Sequence, residues 1–304
     1  MGNIHYLQYE QIDKAKWDAC VSGAENGLIY GYSFYLDSMA KHWDGLVLGN
    51  YEAVMPLTWN KKYGVQYLYQ PPFTPSLGIF GNGITASILN DFLTAIPNKF
   101  KYLDIAFNHG NFFELADFDL YQKMNYVLPL NRSYDKISAG YGHNVKRTAR
   151  KSEQLGELLQ KNISVKEVIM LAGEQLQHLT KLSTEDFDRF GNLFDVLYQK
   201  QMATTYGIYT SAGQLIASGV FFFSHKRAYY ILAGNHPNGR TSGASHALID
   251  AFIKDHAGQD LLLDFEGSDI RNLAFFYSNF GGMEEKYSAI KLNRLPFYIK
   301  WVKE

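Results

Sequence analysis

Short apolar runs, bounded by glycine, proline or charged residues and rich in β-branched and aromatic side chains, recur along the chain and predict strands. In the first half they fall at residues 46–49, 53–59, 65–69, 102–107 and 126–130. Helical spacing is clearest over 86–96, where Ile88, Leu89, Phe92 and Leu93 recur at intervals of three and four. Residues 17–20, 32–42 and 112–116 read as shorter helices. The segment from Gln70 to Pro75 holds Pro71, Pro72 and Pro75, which remove ladder donors, so it is a loop or an edge. Beyond residue 139 the pattern predicts a polar, basic helix over 143–159, a strand over 164–169 and helices over 174–182 and 185–204. An antiparallel meander follows at 208–210, 215–224 and 228–234, with turns at 211–213 and 225–227. A glycine-bearing turn, Asn238 to Ser245, then opens a helix over 247–253. A strand at 261–266, a helix ending in Phe276-Tyr277-Ser278-Asn279-Phe280-Gly281 and a strand at 287–292 complete the pattern.

The halves repeat one another weakly. Tyr102-Leu103-Asp104-Ile105-Ala106 resembles Leu262-Leu263-Asp264-Phe265-Glu266, and each precedes a Phe-Phe pair and then a strand ending in Leu-Asn. The shared order predicts a duplicated α/β (α+β) fold of two domains, 1–135 and 136–304, each a mixed, mostly antiparallel sheet flanked by helices.

Composition narrows the function classes. At 304 residues the chain can bury a full core without disulfides or metals. Aromatics reach 15%, with 22 Tyr and 21 Phe, while charged residues are 19%, low for a soluble domain and suited to wide interior sheets. A net charge of −1 supplies no global field for nucleic acid, which argues against a DNA partner. The lone Cys20 excludes a disulfide framework and fits a reducing compartment. With no apolar leader and no membrane-length apolar run in view, the expected location is the cytoplasm. The nine histidines show no metal-ligand spacing, so no metal is expected.

The meander, the Arg240-Thr241-Ser242-Gly243 turn with its helix, and the Phe-Tyr-x-x-Phe-Gly ending resemble the core of the GNAT acyltransferase superfamily. The duplicated whole is similar to its tandem Fem-like group, which includes the aminoacyl transferases that build peptidoglycan cross-bridges. Asp264-Phe-Glu-Gly-Ser268 and the basic stretch from Val145 to Lys151 carry the likeness further. The resemblance implies a donor site in the second half, where Arg240, Gly243 and Ser245 occupy the places of the superfamily's phosphate turn, with Ser in place of a smaller last residue. It places Tyr277 near the leaving thiolate. Where the superfamily often has Asn, seven residues before that Tyr, this chain has Ile270.

The residues themselves support an acyl transfer. A small-residue turn into a helix can offer the amides of Ala244 and Ser245 to an anion, and Gly243 lets the backbone approach it. Glu266, ending an apolar strand, suits a general base, with Asp264 two residues earlier on the same strand face. Tyr277 suits proton donation to the leaving group. Lys146, Arg147 and Arg150 on the basic helix can grip an anionic acceptor or a donor phosphate, and Tyr69 and Phe73 on the proline-held loop can line an acceptor pocket. The expected reaction is direct transfer from acyl-CoA (acetyl-CoA) to a primary amine, either a small molecule or a cell-wall precursor, without a covalent enzyme intermediate. The alternatives are an aminoacyl-tRNA donor, and a GNAT-shaped binding protein that has lost catalysis. A homodimer is compatible with each.

Overall fold

The computed structural model describes residues 3–176, 182–266 and 271–295. The chain forms two compact units, one built from residues up to 124 and from 286 onward, the other from residues 125–285.

The first unit contains β1 (Ile4–Leu7), α1 (Lys14–Gly23), α2 (Ser33–Met39), β2 (His42–Leu48), β3 (Ala53–Lys62), β4 (Val65–Tyr69), β5 (Phe80–Gly81), α3 (Ala86–Ala95), β6 (Phe100–Ala106) and the start of β7 (Leu120–Pro129). Neighbouring strands run β1-β2-β3-β4-β6, antiparallel except for the parallel β4–β6 step. A parallel step needs a crossover, and α3 lies within it. Residues 289–293, from the chain's last strand, pair antiparallel with β6. Thr85 caps α3 by accepting from the Ile88 amide at 3.3 Å, and Leu89, Phe92 and Leu93 bury the predicted helix face against Met55, Leu68 and Leu103.

The second unit contains the rest of β7, α4 (Tyr134–Ala139), α5 (Val145–Gln154), β8 (Leu158–Lys161), α6 (Val165–Leu176), α7 (Thr184–Gln199), β9 (Ala203–Tyr209), β10 (Leu215–Ser224), β11 (Arg227–Asn235), α8 (Pro237–Ser242), α9 (Ala244–His256), β12 (Leu262–Asp264), α10 (Arg271–Ser278) and the start of β13 (Met283–Asn293). Its strands run β7-β12-β11-β10-β9-β8, and only the β11–β12 pair is parallel. The core forms where Phe252 of α9 stacks on Phe221 of β10 at 3.8 Å, with Tyr206 edge-on to both and Leu248 and Ile253 buried alongside.

The α/β class and the meander match the sequence reading; several boundaries do not. Residues 165–169 of the expected 164–169 strand belong to helix α6, whose buried Val165, Val168, Leu171 and Ala172 follow helical spacing that β-branched residues disguised. Residues 112–116 form neither helix nor strand; the helical turn there is His109–Asn111. The basic helix stops at Gln154, and after Gly156 at φ +71° the chain enters β8. α7 ends at Gln199, so 203–204 are strand. The turn predicted over 238–245 is largely helix α8, and Arg227, assigned to a turn, is the buried first residue of β11. The compact units divide within β7 and β13 rather than at residue 135, because 286–295 return to the first unit. Gly267, Ser268 and Ile270, together with residues 177–181 of the expected 174–182 helix, lie outside the described residues.

Candidate functional site

β11 and β12 pair for only three residues each, Arg227 to Tyr229 against Leu262 to Asp264. β11 stays bonded to β10 as far as Asn235. From Tyr230 onward its other edge therefore parts from β12, and the parting lies at the carboxyl ends of parallel strands, where open α/β sheets bind ligands. The chain leaves β12 through Phe265, whose amide donates to the Tyr126 carbonyl at 3.0 Å, and then through Glu266. Phe265 stacks on Tyr277 of α10 at 4.6 Å.

Two predicted catalytic residues meet here. Tyr277 is 5% exposed, and burial, with Tyr230 and Glu266 nearby, raises its pKa above the ordinary 10.0. A phenol that keeps its proton so firmly donates a hydrogen bond and does not act as a base. Glu266 is half-buried and holds a left-handed backbone, φ +52°, uncommon for a non-glycine residue. It stands beyond the end of β12, so it does not share a strand face with Asp264.

Asp264 plays another part. It is 2% exposed; its Oδ2 accepts from Arg227 Nη1 at 2.6 Å, and its Oδ1 accepts from Asn125 Nδ2 at 2.7 Å and from the Glu266 amide at 3.2 Å. Arg227 also donates to both oxygens of Glu285, at 2.8 Å each. Burial raises the Asp264 carboxyl, with the neighbouring guanidinium pulling the other way. This cluster ties Asp264 into a buried ion-pair network. Sequence reasoning missed Arg227 and Glu285; the available signal was a cation opening a strand otherwise built for burial.

The predicted phosphate turn is tightly packed on its glycine side. Gly243 breaks α8 from α9 at φ +89°, and a Cβ placed on it would lie 2.3 Å from the Thr148 carbonyl of α5. Gly243 and Ala244 are buried, and the Ser245 hydroxyl donates to the side-chain oxygen of Asn235. The expected open cradle of amides is thus covered on the glycine side by α5. Gly243→Ala is expected to lower stability by more than ~1 kcal/mol, because both the conformation and the space exclude a side chain; a urea midpoint comparison reads this.

Charge gathers beside that corner instead. Arg240 is exposed in α8, and Lys151 of α5 donates to the Thr241 carbonyl at 2.7 Å, so the two helices lie side by side. Lys146, Arg147 and Arg150 are exposed on α5. Lys146 and Arg150, with Lys254, Asp250, Glu153 and Leu158, line a groove of about 1060 Å³. His246, in the first turn of α9, sits edge-on to Phe276 at 4.8 Å, and burial lowers its pKa, so it is neutral near pH 7. Nothing in the sequence pattern singled it out.

Tyr69 and Phe73 belong to the first unit. The Tyr69 hydroxyl accepts from the Lys41 amide at 3.0 Å, and the Phe73 carbonyl accepts from the Tyr35 hydroxyl, which ties down the proline loop. Among the described residues there is no group of three or more potential metal ligands, and no helix is long and apolar enough to cross a membrane.

Burial also raises the pKa of Tyr206, reinforced by its bond to Asp255, and of Tyr230. Folding therefore favours the protonated form of Tyr206, Tyr230 and Tyr277. Their stability contribution is intact below pH 10.0, the unperturbed value, and is lost as the pH rises beyond it. The urea midpoint is expected to fall between about pH 9 and about pH 11 by more than solvent-exposed tyrosines would allow.

No protein-family profile matches the sequence. No curated protein matches it either. Among solved structures the fold is similar to that of FemX, with a TM-score of 0.63 at 13% identity over 94% of this chain and 97% of that one. It is also similar to a conserved protein of unknown function from Bacteroides thetaiotaomicron, TM-score 0.61 at 13% identity, covering 95% and 99%. The C-terminal domain of a putative lysylphosphatidylglycerol synthetase from Agrobacterium fabrum gives 0.56 at 10% identity, covering 95% and 94%. The chain therefore shares the fold of FemX.

Proposed function

We propose that this Fem-like fold serves an N-acyltransferase that moves an acyl group from acyl-CoA to a primary amine by direct attack. The observation that carries the reading is the parting of β11 from β12 with Glu266 and Tyr277 at its mouth. Glu266 takes a proton from the attacking amine as the N–C bond forms. The thioester C–S bond breaks, and Tyr277, which keeps its proton, steadies the departing sulfur by a hydrogen bond while the thiolate takes its proton from solvent. Because α5 packs against Gly243, Arg240 and the α5 cations Lys146, Arg147 and Arg150 stand beside the Ala244 and Ser245 amides as partners for the donor's phosphates. The acceptor is a small amine or a cell-wall precursor amine. Tyr69 and Phe73 remain candidates for contacting it, and the two halves remain candidates for a duplication.

The exposed cations of α5 and α8 favour a second reading, an aminoacyl-tRNA donor, since a nucleic-acid backbone can be met by side-chain cations alone. The test is a thermal-shift and thiol-release series with acetyl-CoA and longer acyl-CoAs over a panel of primary amines, run beside transfer from charged tRNA. Coenzyme at about 100 times its dissociation constant should add ~2.7 kcal/mol of apparent stability. Arg240→Glu is expected to abolish that shift. Amide product from charged tRNA alone would select the second reading, and no product from either donor would overturn acyl transfer and leave a binding protein.

A further inference from the structure

We propose that Asp264 is a positioning residue for Glu266: held by Arg227 and Asn125, its carboxylate fixes the left-handed backbone at which Glu266 leaves β12. The inference rests on the acyl-transfer reading for its catalytic consequence, but not for its geometry.

Each step of the linkage is a hydrogen bond between named atoms. One oxygen of Asp264 is taken by Arg227 at 2.6 Å, which turns the other toward Asn125 at 2.7 Å and the Glu266 amide at 3.2 Å. Arg227 cannot swing away, because Glu285 holds its Nη1 and Nη2 at 2.8 Å each. Two carboxylates around one buried guanidinium are a poor device for stability, since apolar residues of similar volume do as well or better. They are a good device for holding an acceptor oxygen in one place. Glu266, at φ +52°, needs such a hold, because a non-glycine residue occupies that region at a cost and persists only where its surroundings dictate it. Asp264 can do this without touching substrate.

The test uses the full chain labelled with ¹⁵N-glutamate, as native protein and as Asp264→Ala, Asp264→Asn and Glu285→Gln. Exchange protection of the Glu266 amide should fall about tenfold or more in Asp264→Ala, less in Asp264→Asn, which keeps an oxygen, and little in Glu285→Gln. Glu285→Gln disturbs the same arginine but leaves the Asp264–Glu266 bond, so it separates positioning from general loosening. With acetyl-CoA and an amine that the native chain accepts, Asp264→Ala should lower kcat about tenfold or more with KM nearly unchanged, and shift the acid limb of the kcat profile. Should Asp264→Ala not fold, Asp264→Asn serves in the same readouts and must still show reduced protection. Unchanged Glu266 protection without the Asp264 carboxylate, or an equal kcat loss in Glu285→Gln, overturns the proposal. If the native chain turns over no donor, acyl transfer fails, and the amide protection still decides whether Asp264 holds Glu266.

Discussion

Glu266→Gln is expected to lower amine acyl transfer about 10²–10⁴-fold, the usual contribution of a positioned base, with little change in donor binding. The glutamine keeps the volume and can keep the backbone, because the Glu266 amide, and not its carboxylate, is bonded to Asp264. What is lost is the group that takes the amine proton. Because that group must be ionised, activity in the native chain should rise with pH along an acid limb that Glu266→Gln removes. Thiol release from acetyl-CoA across a pH series checks both points. A variant that keeps native kcat would strip Glu266 of its role.

The largest expected effect on stability is Arg227→Ala, about 3–5 kcal/mol, the cost of removing one partner from a buried ion pair. Asp264 would be left at 2% exposure without the guanidinium, with the amide groups of Asn125 and Glu266 as its partners among the described residues, beside Glu285. Burial already raises the Asp264 carboxyl, and loss of the guanidinium raises it further. A carboxyl whose folded pKa exceeds its unfolded one destabilises its protein as the pH climbs through that range. The deficit of Arg227→Ala should therefore shrink on acidification, and denaturant midpoints of both proteins at neutral and mildly acidic pH measure it.

Legibility in the sequence followed physical periodicity. α3 was readable because Leu89, Phe92 and Leu93 share one buried face, and the meander because β9, β10 and β11 are apolar runs cut by short turns. The pairing of Glu266 with Tyr277 was within reach, since both flank an aromatic-rich strand-to-helix passage. What pattern could not show was cover. The tight packing at Gly243 depends on Thr148, far away in the chain, and the anchoring of Asp264 depends on Asn125, Arg227 and Glu285, which only the folded chain assembles. α6 was misread because Val165, Val168 and Ile169 carry strand-like side chains on a helical period.

Asn125 and Glu285, both bound into the Arg227–Asp264 cluster, are the first and last residues of the second unit. That unit is thus an uninterrupted insert whose ends are knotted together by charge, and it can close as soon as residue 285 has emerged from the ribosome. The unit that begins first must wait longer, because β6 receives its antiparallel neighbour, residues 289–293, only after the whole insert has been made. Ending the chain after residue 285 should therefore injure the N-terminal unit before the insert, an inversion of the order in which the two are made.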